Sequence, residues 1–85
     1  MTWTVIVSRS AQKELEKFPA KDRERIAAAL LAMASDPFSG DLKKLEGSPE
    51  RWRRRTGSYR IFFVVDRPSR IVSVSAILRR SSTTY

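Results

Sequence analysis

The sequence contains no cysteine and no histidine among its 85 residues. Without cysteine the chain can form no disulfide bonds, no thiolate metal ligands and no thiol nucleophile. Without histidine it lacks the side chain that most often transfers protons near neutral pH. We expect no cofactor and no metal site, so any acid–base chemistry must use carboxylates, phenols or amines.

Long apolar runs are also missing. No stretch approaches the roughly 20 residues that span a bilayer, and the N-terminus lacks the charged start and apolar run of a signal peptide. We therefore expect a cytoplasmic protein that does not contact a membrane. With 41% apolar residues, the chain is predicted to form a single domain over residues 1–85 with one modest core.

Positive charge is abundant and unevenly placed, with a net charge of +8 for the whole chain. Residues 1–50 contain eight basic and eight acidic side chains, whereas residues 51–85 contain nine arginines and a single acid, Asp66. The whole excess therefore belongs to the C-terminal part. Such an asymmetric field indicates a polyanionic partner.

The hydrophobic pattern changes period along the chain. Apolar residues three or four apart predict helices at residues 9–18 and 21–34, which Pro19 separates. Leu42 and Leu45 are assigned to a short connector. Strands rich in β-branched and aromatic residues are predicted at residues 2–7, 52–56, 59–65 and 71–78. This order predicts an α+β fold: an N-terminal strand, a helical hairpin and a three-stranded antiparallel meander, giving a four-stranded, mainly antiparallel sheet with two helices packed on one face.

The hairpin at residues 52–65 brings arginines together. If Gly57 and Ser58 form a two-residue type II′ turn, Arg55 faces Arg60 across the strands. Alternation then adds Arg53 to the same face and turns Arg54 to the other.

A second hairpin with its loop at residues 66–69 would place Arg60 opposite Ser75 and add Arg79 to the same patch, although a register slip by an odd number would move Arg79 away. Because like charges repel, folding alone gives little reason to collect these arginines. A bound phosphate backbone would offset the cost. The alternative is that the exposed basic residues only discourage pairing at the sheet edge.

Arginine clusters suit one step of RNA cleavage, in which a 2′-hydroxyl attacks the adjacent phosphate. The guanidinium fork binds phosphate oxygens and stabilises the charge of the transition state, but its high pKa makes arginine a poor general base. A lysine or tyrosine beside several arginines would have a lowered pKa. The proton carrier stays open among Lys43, Lys44, Glu46, Glu50, Tyr59, Asp66 and Tyr85.

Two sequence segments resemble a known family. The string WRRRTGSYR at residues 52–60 is similar to the central motif of RelE-type toxins of the RelE/ParE superfamily, and PFSGDLKKLEGSPERW at residues 37–52 resembles the connector that precedes it. The resemblance implies the toxin of a type II toxin–antitoxin pair that cleaves mRNA, in many members at the ribosome, and that a cognate antitoxin protein neutralises.

The resemblance also implies roles for individual residues. Arg53, Arg55 and Arg60 match the residues that hold and activate the phosphate. Arg79 matches an arginine that contacts the phosphate or donates a proton, with Arg80 as its alternative, and Tyr85 matches a tyrosine that orients the substrate. Substrate contacts are expected from Arg51, Lys43, Lys44 and Arg80.

Two other functions remain open. A ParE-like chain would inhibit DNA gyrase without catalysis, although that activity needs no phosphate-cleaving cluster. A non-catalytic RNA-binding module would bind RNA in a salt-sensitive way without cutting it.

Overall fold

The computed structural model describes residues 2–47 and 50–79, which form two helices and one five-stranded sheet. The strands lie in the order β1-β5-β4-β3-β2 across the sheet. Within the described ranges, no helix has the length and apolar character needed to cross a membrane. In chain order, the elements are β1 (Thr4–Val7), α1 (Arg9–Glu16), α2 (Ala20–Ser35), β2 (Asp41–Lys44), β3 (Arg51–Thr56), β4 (Tyr59–Asp66) and β5 (Ile71–Arg79).

The sheet differs from the predicted four-stranded arrangement by one strand and by one pairing direction. The segment assigned to a connector contains β2, which pairs antiparallel with β3 at the sheet edge. Its sequence, DLKK, lacks a β-branched residue, so pairing with β3 and not local propensity makes it a strand. β1 pairs in parallel with β5, so the sheet is mixed. The α+β class and the two helices are confirmed.

Local sequence signals fix the helix boundaries. The Ser8 side chain accepts a hydrogen bond from the backbone N–H of Ala11 at 3.1 Å, which caps the start of α1. Pro19 is the N-cap residue of α2, where its missing N–H costs nothing. α1 ends at Glu16, two residues before the predicted end, and α2 extends one residue beyond its prediction at each end.

The core lies between the helices and one face of the two central strands. Alternate residues of β4 are buried, and Val72, Val74 and Ile77 of β5 face the same way. The opposite face of β4 carries Arg60 and Phe62, which are only partly buried. The buried residues of this core are Ala11, Ile26, Ala29, Met33, Tyr59, Ile61, Phe63, Val65, Val72, Val74 and Ile77.

The register between β4 and β5 corrects the prediction for Arg79. Asp66 pairs with Ile71, but the register shifts between Phe62 and Phe63, where Ser75 is the extra residue of a β-bulge. The loop is residues 67–70 and not the predicted 66–69, which shifts the register by two, and the bulge adds one more. The total slip is odd-numbered and pairs Arg60 with Leu78, not with Ser75. Arg79 pairs with Tyr59 and therefore follows the helix-covered face, so its predicted place beside Arg60 is wrong.

We predict that Ile77→Ala lowers the free energy of unfolding by about 2–5 kcal/mol, because it leaves a cavity in the core. Ile77 is fully buried, at 0% exposure. The control is Leu31→Ala on the outer side of α2, where the side chain is 73% exposed, and it should change stability by no more than about 0.5 kcal/mol. Urea denaturation measures both; equal losses would contradict this assignment of the core.

Candidate functional site

The β3–β4 hairpin places two arginines opposite each other. Gly57 has a φ of +59°, and no described non-glycine residue other than Arg70 has a positive φ, so the turn has the predicted type II′ pattern at Gly57-Ser58. Thr56 therefore pairs with Tyr59, and Arg55 pairs with Arg60. The register predicted for this hairpin is confirmed.

Two rows of side chains cross the open face of β2, β3 and β4. One row joins Asp41, Arg55 and Arg60, and the next joins Lys43, Arg53 and Phe62. Arg51 begins a third row opposite Val64. We call this surface the arginine face, made of Asp41, Lys43, Arg51, Arg53, Arg55, Arg60 and Phe62.

Little within the described structure balances the charge of the arginine face. Asp41 forms an ion pair with Arg55 at 3.9 Å between Oδ2 and Nε, but the side chains are 63% and 41% exposed, and such solvent-accessible pairs contribute little to stability. The Nε atoms of Arg53 and Arg60 are buried and have no hydrogen-bond partner within the described ranges. Buried donors without partners are costly. These Nε atoms are too buried for a ligand to reach, but an anionic ligand on this face would offset the positive charge of the guanidinium groups.

Arg54 faces the other way, as predicted, and fixes the segment that leads into β2. Its Nη1 atom donates to the Ser39 carbonyl oxygen at 3.2 Å and lies 3.3 Å from the Ser39 hydroxyl. Gly40 has a φ of +85°, and a Cβ there would lie 2.8 Å from the Arg54 guanidinium carbon. Glycine thus permits both the turn and the close approach of Arg54, which together position Asp41 at the strand edge.

Asp41 is the site residue that sequence reasoning missed. It lies opposite Arg55 only because residues 41–44 form a strand. A strand assignment would have revealed the pairing. However, four residues of which three are charged show no usable alternation, and the segment depends on β3 for its structure.

The predicted substrate-binding residues divide between the two faces. Lys43 lies opposite Arg53, and Arg51 lies on the same face. Lys44 alternates to the other face, where its Nζ atom lies 5.8 Å from the centre of the Trp52 ring. Arg79 ends β5 with an exposed side chain. Arg80 and Tyr85 lie outside the described residues.

Tyr59 is not an available proton carrier. It is 1% exposed, and its hydroxyl donates to Asp22 Oδ2 at 2.6 Å on the helix-covered face. This hydrogen bond, together with burial and the negative charge of Asp22, raises the tyrosine pKa, although the charges of Arg79 and Arg25 act in the opposite direction. The expected lowering of the pKa by neighbouring arginines is therefore wrong for Tyr59.

The acidic candidates lie away from the Arg55–Arg60 pair. Glu50 accepts hydrogen bonds from Arg67 and from the Trp52 indole, and these contacts lower its pKa, that from Arg67 most strongly. Asp66 accepts from the Ser69 hydroxyl at 2.7 Å in the β4–β5 turn. Glu46 follows β2 and is exposed. Residues 2–47 and 50–79 contain no group of three or more acidic side chains that could hold a metal ion.

A family model matches residues 5–83 of the chain and describes the ParE toxin of the type II toxin–antitoxin system parDE. The chain belongs to the ParE toxin family. This membership confirms the predicted resemblance to the RelE/ParE superfamily and makes the chain a toxin of a type II toxin–antitoxin system.

Relatives with RelE names are similar to this ParE-family chain along almost its whole length. RelE1 of Methanocaldococcus jannaschii, whose name classes it as a toxin, is 28% identical over 83 residues, covering 94% of this chain and 92% of that protein. The archaeal RelE in the RelE–RelB complex of Pyrococcus horikoshii OT3 has a TM-score of 0.85 at 23% identity, covering 98% of this chain and 100% of that chain. The isolated RelE toxin of E. coli has a TM-score of 0.80 at 20% identity, covering 95% and 87%. These structural likenesses establish the fold.

We predict that Tyr59 titrates above the ordinary tyrosine pKa of 10.0, because its hydrogen bond to Asp22 holds the proton. An absorbance titration in a Tyr85→Phe background isolates Tyr59. Asp22→Ala should bring its pKa down, whereas Glu24→Ala on the same helix should not. A Tyr59 that titrates normally in the folded protein would contradict the contact.

The same shift sets the sign of the pH dependence. Because the folded-state pKa is raised, its stabilising contribution is fully present below pH 10.0 and is lost as the pH rises through the folded-state pKa.

Proposed function

We propose that this toxin is an RNA endonuclease that cuts mRNA, in a ribosome-dependent manner, by attack of a 2′-hydroxyl on the adjacent phosphate. The observation that carries the proposal is the juxtaposition of Arg55 with Arg60, with Arg53 in the neighbouring row. Three guanidinium groups share one face of the hairpin, where the described residues offer them one exposed carboxylate, that of Asp41. A scissile phosphate would supply the negative charge that balances this arrangement.

The arginines act on charge and geometry. Bidentate contacts from Arg55 and Arg60 hold the non-bridging phosphate oxygens, so the 2′-oxygen can approach in line with the departing 5′-oxygen. As the O2′–P bond forms and the P–O5′ bond breaks, the phosphorus group gains negative charge. Fixed guanidinium groups stabilise that charge more than they stabilise the ground state.

The remaining assigned residues surround this centre. Lys43 and Arg51 lie on the arginine face and extend the positive surface along the strands. Arg79 ends β5 on the opposite face, beside Tyr59, so a phosphate contact from it rests on the family resemblance and not on the strand register. Roles for Arg80 and Tyr85 rest on the family resemblance alone.

We also propose that a cognate antitoxin binds the toxin. Several solved structures similar to this chain are toxin–antitoxin complexes, among them RelBE2 of Mycobacterium tuberculosis, with a TM-score of 0.83. A cleft of about 290 Å³ between α1 and β5 is lined by Ser10, Ala11, Glu14 and residues 75–78, and could receive an apolar segment. Acidic antitoxin residues would compete with RNA for the arginines. Co-expression with the adjacent reading frame should yield a stable complex and suppress toxicity.

We predict that the double variant Arg55→Ala, Arg60→Ala folds but loses at least about 100-fold in cleavage of mRNA on programmed ribosomes, because it removes the transition-state charge stabilisation. The matched control is Lys13→Ala with Lys21→Ala, which removes the same charge from the helices. In RNA binding, the slope of log affinity against log salt should fall by about 0.7 for each phosphate that the variant no longer neutralises. Full cleavage by the arginine variant would refute the mechanism.

A substrate change tests the nucleophile itself. An mRNA with a 2′-deoxynucleotide immediately 5′ of the cut should bind normally but resist cleavage, because it lacks the attacking oxygen. Cleavage at the unmodified rate would exclude 2′-hydroxyl attack, whatever the arginine variants show.

The family model favours a second candidate, a ParE-like inhibitor of DNA gyrase, because its description is that of ParE. Brief induction followed by mapping of transcript ends distinguishes the two functions. Cuts within translated mRNA support the endonuclease, whereas DNA damage with intact transcripts supports gyrase inhibition.

A further inference from the structure

The arginine face carries one aromatic side chain, Phe62, within the described part of the sheet. Phe62 lies two residues from Arg60 on the same strand and directly opposite Arg53 on β3. We propose that the Phe62 ring is a stacking platform for an RNA base next to the phosphate held by the arginines. This inference rests on the proposed function and extends it from the phosphate to the base.

Phe62 is not part of the hydrophobic core, although the next residue, Phe63, is. Phe63, on the other face of the strand, is 1% exposed and is part of the core, whereas Phe62 is partly exposed. Among the described aromatic residues, every one except these two contacts another ring. Within residues 2–47 and 50–79, Phe62 thus has an aromatic surface that neither the core nor another ring occupies.

The neighbouring strand is irregular beside Phe62. The partner of Phe62 on β5 is Ala76, a small residue, and the β-bulge at Ser75 lies beside this pair. The Ser75 hydroxyl donates to the Phe62 carbonyl oxygen at 3.3 Å, which supports the irregular backbone. Bulges often lie next to functional sites, where they redirect a side chain. Here the bulge lies between Phe62 and Phe63 and gives the two rings different neighbours on β5.

The spacing suits one nucleotide. Alternate residues on a strand lie about 6.6 Å apart, so the Arg60 and Phe62 side chains leave the strand at points separated by that distance. A guanidinium that binds a phosphate and a ring that stacks on the attached base can therefore act on the same or the next nucleotide. Such stacking tolerates every base, since each has an aromatic face. The inferred substrate is single-stranded RNA with an unpaired base beside the cut.

The experiment combines a protein change with a substrate change. Phe62→Leu removes the ring but keeps an apolar side chain, Phe62→Tyr keeps the ring, and Val64→Ala alters another partly exposed apolar residue on the same side of β4. Each variant is tested on programmed ribosomes with unmodified mRNA and with mRNAs that carry an abasic nucleotide at each position flanking the cut. Urea denaturation checks that all variants fold.

On unmodified mRNA, Phe62→Leu should raise KM about tenfold, since base–aromatic stacking contributes on that scale, while Phe62→Tyr and Val64→Ala should behave like the wild type. An abasic nucleotide at one of the flanking positions should raise the KM of the wild type by a similar factor and should not raise the KM of Phe62→Leu further. This loss of sensitivity identifies stacking, which a merely structural role of Phe62 would not produce.

Three results would overturn the proposal. The first is a KM of Phe62→Leu equal to that of the wild type, and the second is a further rise in the KM of Phe62→Leu on the abasic mRNA as large as that of the wild type. The third is an effect of Phe62→Leu on antitoxin affinity alone. Failure of the proposed function is a separate result, seen when the wild type does not cut mRNA. In that case, fluorescence quenching of a 2-aminopurine base in bound single-stranded RNA tests the platform directly. Stacking is supported if the fluorescence is quenched by the wild type and by Phe62→Tyr but not by Phe62→Leu. If the wild type does not quench the fluorescence, the proposal is overturned.

Discussion

The cross-strand pairing of Arg55 with Arg60 is the constraint on which the candidate site depends. Two like charges opposite each other in a sheet are unfavourable, so the pairing must be held by other interactions. The Gly57-Ser58 turn fixes the register, and on the other face of β4 the residues Tyr59, Ile61 and Phe63 are buried in the core. A one-residue slip would expose those core residues, so the burial on one face enforces the charge cluster on the other.

The edge strand β2 depends on this hairpin and in turn completes the site. The backbone pairing of β2 with β3 brings Asp41 and Lys43 onto the arginine face, while Arg54 contacts the preceding segment at Ser39 and Gly40 from the opposite face. The three consecutive arginines at residues 53–55 therefore have different tasks. Arg53 and Arg55 place positive charge on the open face of the sheet, and Arg54 holds the segment that leads into the bordering strand. A count of basic residues could not separate these roles, but strand alternation does.

Sequence reasoning worked where structure is set by neighbours in the chain. The type II′ turn at Gly57, the break at Pro19 and the helix cap at Ser8 are local, so the β3–β4 register, the division of the helices and the pairing of Arg55 with Arg60 could be predicted. β2 and the bulge at Ser75 arise from contacts between strands. They left no pattern in the sequence, and two errors about the site follow from them: Asp41 was missed, and Arg79 was assigned to the wrong face.

The bulge at Ser75 explains why the predicted position of Arg79 was wrong, and it also determines which residues of β5 lie beside Phe62. A regular ladder through residue 75 would have kept a single alternation along β5, whereas the extra residue changes which side chains of β5 lie beside the arginines. It places Leu78 opposite Arg60 and Ala76 opposite Phe62, so no further positive charge enters these two rows from β5. The arginine face is therefore bounded on this side by small and apolar residues. In the proposed function, phosphate binding by the arginines would weaken as salt screens charge, whereas stacking on Phe62 would not depend on net charge. An RNA strand held in both ways would have its backbone bound on β3 and β4 and one base placed toward β5. These two contacts together would set the orientation of the RNA across the sheet, which charge alone does not do.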